Sequence, residues 1–245
     1  MLGEKQDRWN RTCRKHWWPR GNHEIVRNIT LKYIEEKGLR RKRYIDIGCS
    51  GGIISEYLSK YGETVGLDIS FEGLKICKER LLRAVNASAT RIPFKNEVFS
   101  MATLFEVAEH MTDDKELFKE IKRILHSKGL LLMSVPAHMY LWGSHDVFYG
   151  HRKRYTKRDM IRLAKDNNFR ILKISYMHPC FLPGMALWRY IDRRNKKDYG
   201  KRDDFKNFGF LLDNLLFGML VFESWILKYM NFPFGTSLLC VMEKI

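Results

Sequence analysis

The sequence predicts an α/β fold, a doubly wound sheet of mainly parallel strands with helices on both faces. Three observations predict it. Apolar strand-like runs alternate with amphipathic helical stretches from residue 44 to residue 177. The first run, Tyr44-Ile45-Asp46-Ile47, passes into a glycine-rich turn, Gly48-Cys49-Ser50-Gly51-Gly52, and Ile53 to Leu58 continues at helical spacing. A second carboxylate, Asp68, closes the next apolar run 22 residues after Asp46. A strand–turn–helix of this kind lets a ligand approach the backbone at the helix N-terminus, because glycine adds no side-chain volume there. An acid at the tip of the second strand can take two hydroxyls of a ribose.

Two nucleotide-like ligands fit such a unit. A dinucleotide site sets G-x-G-x-x-G against a pyrophosphate. Here the order is Asp46-x-Gly48-x-Ser50-x-Gly52. The leading acid repels phosphate and suits a cation. S-adenosylmethionine is ribose-bearing and carries an ammonium and a sulfonium. On these residues the chain resembles the class I S-adenosylmethionine-dependent methyltransferases, departing at Ser50, where the family usually has glycine. The resemblance implies a Rossmann-like, seven-stranded sheet with an antiparallel last strand. It implies cofactor contacts from Asp46, Gly48, Ser50 and Gly52, from Asp68 and Ile69, from Ser88 and Ala89, and from Phe105. Relatives usually carry an aspartate near Ser88 for the adenine amine; serine can still accept a hydrogen bond, without the charge.

The elements then follow in order. His16-Trp17-Trp18-Pro19-Arg20 precedes a helix expected from Asn22 to Lys37, with Ile25, Ile29 and Ile34 inward. In methyltransferases like this one such a segment, here residues 1–42, forms a lid, and Arg20 could pair with the methionine carboxylate; a surface arginine beside packing tryptophans is the equal alternative. Phe71 to Leu82 reads as a helix, Arg83 to Ser88 as a short strand and Phe99 to Phe105 as the fourth strand. Glu106-Val107-Ala108-Glu109-His110 comes next. On a helix, Glu106, Glu109 and His110 would share one face, as in the E-x-x-E-H set with which some ubiquinone-pathway and small-RNA O-methyltransferases hold a divalent metal. Capping and cleft packing without a metal is the preferred reading. Asp113 to Leu125 is an amphipathic helix and Leu130 to Val135 the fifth strand.

The stretch Pro136 to Tyr155 carries His138, His145, Asp146, His151 and several aromatics. It occupies the place of the substrate loop, beyond the carboxyl end of strand five. Its V-P-A…L-W…H-D…G-H-R-x-R-Y pattern resembles a methyltransferase subgroup linked to glycan and lipid-linked sugar assembly. Lys157 to Asn167 is a helix, Phe169 to Met177 the sixth strand and Thr236 to Met242 the seventh. The core is thus expected over residues 43–177 and 236–245, with residues 178–235 as a helical insert or cap. Phe208 to Trp225 within it is strongly apolar but interrupted by Asp213 and Glu223, so it reads as amphipathic rather than membrane-spanning.

Charge is unevenly placed. The net is +16; residues 1–44 hold 13 basic and 5 acidic side chains, and residues 150–206 hold 17 and 6, while the cofactor region between them is near neutral. Basic flanks point to an anionic partner or to a solvated surface. Five scattered cysteines without C-x-x-C spacing predict free thiols in a reducing compartment, and a polar, basic beginning shows no signal peptide, so a cytoplasmic protein is expected, with contact at the membrane surface as a further reading.

The leading expectation is an S-adenosylmethionine-dependent O-methyltransferase acting on a small-molecule, glycan or lipid-linked acceptor. His145 is the favoured base, with Asp146 beside it and His110 and His151 as rivals. An RNA methyltransferase is the alternative raised by the basic flanks, although no RNA-binding module is visible. A non-catalytic cofactor-binding protein at a membrane is the third. The apolar insert could serve a lipid surface, the acceptor or a homodimer seam.

Overall fold

The computed structural model describes residues 12–194, 199–200 and 208–245. The first eleven residues of the lid segment and most of the basic stretch between 195 and 207 lie outside the described residues. Seven strands form one sheet: β1 (Arg43–Ile47), β2 (Glu63–Asp68), β3 (Arg83–Asn86), β4 (Phe99–Phe105), β5 (Leu125–Pro136), β6 (Phe169–Met177) and β7 (Ser237–Lys244). Their order is β3-β2-β1-β4-β5-β7-β6, with β7 antiparallel to both neighbours and the other pairs parallel. This is the Rossmann-like sheet expected from the sequence.

Helices cover both faces. α1 (Trp17–Glu36) and α2 (Ile53–Leu58) pack on one face; α4 (Asp114–Ile124) and α6 (Lys157–Asp166) pack on the other, and α3 (Phe71–Glu79) joins β2 to β3. On the first face Ile25, Ile29 and Ile34 meet Leu130, Leu132, Leu239 and Val241. On the second, Leu117, Phe118, Ile121 and Ile124 meet Leu131, Met133 and Cys240. The 3.6-residue period of the helices and the continuous apolar runs of the strands dictate these contacts. α1 begins at Trp17, five residues before the expected start, because His16 Nδ1 accepts the Trp18 N–H at 3.2 Å as an N-cap and Pro19 is tolerated in the first turn. α3 stops at Glu79, short of the expected Leu82, where Leu81 takes a left-handed φ of 58°. All five cysteines are free.

The described residues of the insert between β6 and β7 include two α-helices, α7 (Leu182–Arg194) and α8 (Phe210–Leu227). α8 lies along α1, burying Leu220 and Leu227, and Asn28 Nδ2 donates to Ser224 Oγ at 2.8 Å. Asp192 of α7 takes the Ser144 backbone N–H and hydroxyl, both at 2.7 Å, and so holds the start of α5 (Ser144–Tyr149).

Candidate active site

Left-handed backbone recurs along the carboxyl edge of the sheet. Ser50 (φ 47°), Glu106 (54°), His138 (62°) and His178 (62°) follow β1, β4, β5 and β6 and are all left-handed without being glycine. Such residues cost of order 1–3 kcal/mol each and persist where surrounding contacts fix them. Ser50 therefore fits its loop at some strain. At Gly48, φ is +75° and an added Cβ would stand 2.2 Å from Val107 Cγ2, so the first glycine is required on both counts.

Two cavities open on this edge. The smaller, about 110 Å³, is lined by Asp46, Gly48, Ser50, Phe105 and Glu106 from the sheet and by Pro19, Asn22 and His23 from α1. Asp46 is buried and accepts from Ser55 Oγ at 2.7 Å and Thr103 Oγ1 at 2.8 Å. Burial outweighs these bonds and pushes its carboxyl up to about 6. Burial, with Arg27 nearby, pushes His23 down to about 4. Asp68 ends β2 and accepts the Ser50 N–H and the Ser70 N–H, each at 2.7 Å, which fixes its carboxylate beside the glycine turn. Ile69 after it is 74% exposed, an uncovered apolar surface. Ala89 is buried, while the Ser88 hydroxyl turns in on Thr90 Oγ1 at 2.8 Å.

Arg20 is not among the residues that line the smaller cavity. Its guanidinium lies over the Phe217 ring of α8, 4.2 Å from the centroid. The aromatic face offered by the insert takes the planar cation, a contact between distant segments that local sequence does not reveal. Asn22 and His23, one helical turn on, reach the cavity instead.

The larger cavity, about 440 Å³, has walls of Trp17, Trp18, Phe181, Met185, Trp188 and Phe208 and a polar floor that includes Glu106, His145, His151 and Arg154. Glu106 lines both cavities. Its carboxylate accepts from Ser134 Oγ at 2.8 Å, and its left-handed backbone precedes a single 3-10 turn, Ala108–His110. The expected helical face of Glu106, Glu109 and His110 therefore does not form. Glu109, His110 and His151 come together in its place, with one donor atom each within 4.8 Å of the others.

Asp146 pairs with His151 and not with its neighbour His145. Its Oδ1 meets His151 Nδ1 at 2.9 Å, and Arg154 grips both its oxygens, Nε and Nη2 each at 2.9 Å. Residues adjacent on a helix point about 100° apart, so the sequence neighbours diverge while Gly150 turns the chain back to bring His151 round. Burial works to raise Asp146, but the bonds from His151 and Arg154 prevail and hold it below the usual carboxylate range. Burial, reinforced by His151 and Arg189, pushes His145 down to about 3, which makes it a poor proton acceptor. His110 is likewise pushed down to about 4 by burial and His151. Glu109 is fully buried, neither carboxylate oxygen has a hydrogen-bond partner among the described residues, and burial with Glu106 beside it raises its carboxyl well above the ordinary value. One oxygen and two nitrogens of this kind could hold a divalent cation, with Asp146 orienting His151 from behind.

Arg154, Glu106 as a shared wall, and the lining residues of α7 were not foreseen from the sequence. The run of aromatic and basic residues around Arg154 was visible, but its partner was not.

A family model described as a methyltransferase domain matches residues 45–133. A ubiquinone biosynthesis O-methyltransferase from Nitrosomonas europaea is 34% identical over 137 residues, 49% of this chain and 57% of that protein. One from Coxiella burnetii is 26% identical over 187 residues, 66% of this chain and 80% of that protein. The chain spans about three fifths of the length of most of the curated relatives it matches first, from 57% to 63%. Among solved structures, S-adenosylmethionine-dependent methyltransferases from Mesorhizobium loti (TM-score 0.56, 13% identity, 84% of this chain and 92% of that chain) and Archaeoglobus fulgidus (TM-score 0.55, 16% identity, 89% and 94%) share the fold. The residues present fit the family's cofactor: an acid and glycines line the small cavity, a fixed carboxylate stands at the end of β2, and Ile69 offers an apolar face beside it. Residues 45–133 are a methyltransferase domain, and the chain that carries them has the class I S-adenosylmethionine-dependent methyltransferase fold.

Proposed function

We propose that the protein is an S-adenosylmethionine-dependent methyltransferase that methylates oxygen on a small-molecule acceptor held in the larger cavity. The observation that carries this reading is the single wall between the two cavities: Glu106 faces both, so a donor in one and an acceptor in the other lie side by side. S-adenosylmethionine supplies an electrophilic methyl group on a sulfonium. The protein's part is to align, desolvate and remove one proton. Asp46 and Asp68 supply the negative charge and ribose contacts on the donor side. On the acceptor side the ionised Asp146 keeps a proton on His151 Nδ1, which leaves Nε2 as the acceptor of the hydroxyl proton. The aromatic walls favour an apolar or aromatic acceptor, in keeping with the ubiquinone-pathway relatives. Residues 12–42 and 178–235 act as lid and cap over the two cavities in this reading.

The test is transfer of a labelled methyl from S-adenosylmethionine to hydroxylated aromatic acceptors with and without a prenyl tail. Failure of any hydroxyl acceptor to take label from a protein that binds the donor would overturn O-methylation. A second reading is favoured by the unpartnered Glu109: a divalent cation held by Glu109, His110 and His151 would then activate the hydroxyl, and turnover would require the metal.

A further inference from the structure

The face of α8 that packs on the domain is the more polar one. Glu223 and Ser224 point inward, where Glu223 Oε1 takes the His178 N–H at 2.6 Å and Ser224 meets Asn28. The opposite side carries Phe210 (82% exposed), Leu211 (84%), Leu215 (62%), Phe222 (63%) and Trp225 (58%). Placed at 100° per residue, the exposed apolar positions cover about half of the circumference. Only 22% of the helix is buried, and it is long and apolar enough to cross a membrane, although the run length alone did not indicate it. α7 likewise exposes Leu187 (61%) and Ile191 (51%). Exposed apolar faces of this extent mark contact surfaces.

We propose that the outer faces of α7 and α8 dock on an anionic lipid bilayer, with the helices lying in the interface. Three features select this occupant. Phe222 and Trp225 stack at 6.3 Å and Trp225 meets Tyr229 at 5.8 Å, which puts an aromatic cluster where such rings favour the headgroup level. Arg193 and Arg194 end α7 in solvent, and the chain carries a net charge of +16. That charge is complementary to an anionic leaflet, whereas two copies brought face to face repel. The inward bonds of Glu223 to His178 and of Ser224 to Asn28 tie α8 to the end of β6 and to α1, so it lies on the bilayer rather than crossing it. α7 gives Gly184, Met185 and Trp188 to the large cavity on its inner side, and Phe208, 55% exposed, lines the same cavity just before α8. An acceptor with an apolar tail would thus enter from lipid. That route rests on the acceptor reading above; the docking itself does not.

The experiment uses the whole protein without cofactor or acceptor. Vesicles of phosphatidylcholine, with and without phosphatidylglycerol, are sedimented at low and high salt. Most of the protein should pellet with the anionic vesicles, less at high salt, and the double variant Phe222→Asp/Trp225→Asp should weaken partitioning about tenfold or more. Both side chains are largely exposed, so an unchanged circular-dichroism melt shows that the variant is folded. Protein left in the supernatant with anionic vesicles at low salt overturns the proposal, as does a folded variant that pellets like the parent. A stable dimer in analytical ultracentrifugation that the variant dissolves would also overturn it, assigning the face to a second copy. None of these outcomes touches methyl transfer, which is measured separately.

Discussion

The two ends of the carboxyl edge hold their charged groups by different means. Around β1, β2 and β4 the acids are held by short contacts: Asp68 by the backbone N–H groups of Ser50 and Ser70, Asp46 by the hydroxyls of Ser55 and Thr103. Around β5, β6 and the cap, one acid is held by a nearby histidine and arginine, and two acids of the insert reach back to the core. Asp146 binds His151 and Arg154, Asp192 binds Ser144 48 residues away, and Glu223 reaches the backbone of His178. Side-chain networks can be altered one residue at a time, so the acceptor end is where substrate choice can change without loss of the donor site.

The largest effect should come from the acceptor end. His151→Ala is expected to lower turnover roughly 10²–10⁴-fold with cofactor affinity unchanged in calorimetry. His145→Ala should stay within several-fold of the parent. The reverse ranking would show that the Asp146–His151 pair is only structural.

The donor end should answer in affinity. Asp68→Ala is expected to weaken S-adenosylmethionine binding by about 1.5–3 kcal/mol, the range for a hydrogen bond to a charged group. Equal affinity in a folded variant would remove Asp68 from the site. Asp46 adds a pH dependence. Its carboxyl, raised to about 6 by burial, is protonated below that pH and then offers no charge to a cationic ligand. Affinity should fall as pH drops from 7 to 5, and Asp46→Asn should flatten the profile. In the free protein the sign is opposite. A raised folded value means that the stability of the protonated form, complete below about pH 4, is lost as pH rises through 6. Asp46→Asn should therefore raise the melting temperature at pH 7.5 more than at pH 4.

The smallest effect is expected at Glu109. Its raised carboxyl is neutral when no cation is bound, so Glu109→Gln should shift melting little and activity should survive a chelator. Loss of turnover in chelator, restored by a divalent metal, would recast His151 as a ligand and bring the two ends under one electrostatic control.

The same contrast explains what could be read in the sequence. The alternation of strands and helices, the Gly48–Gly52 turn and the Asp46 and Asp68 positions follow from periodicity and from local backbone demands, both of which sequence displays directly, while the antiparallel last strand was implied by the family resemblance alone. The contact of Arg20 with Phe217, 197 positions away, is not displayed by the local sequence, nor is the burial beside His151 that lowers His145. The metal-like face of Glu106 failed because a left-handed backbone at that residue replaced the helix on which the spacing relied. Side-chain pairing across folded chain leaves no period to detect.

The position of β7 carries a consequence for how the molecule is made. β6 touches the sheet only through β7, and β7 inserts between β5 and β6 with six of its eight residues buried. During synthesis, α7 and α8 emerge before the strand that gives β6 a neighbour. Two apolar helices and an unpaired strand must therefore wait in the open until β7 closes the sheet, which makes this a late, non-local step prone to misassembly. Nascent protein should be most vulnerable to aggregation and proteolysis just before that closure, and a lipid surface nearby would shield the same helices while they wait.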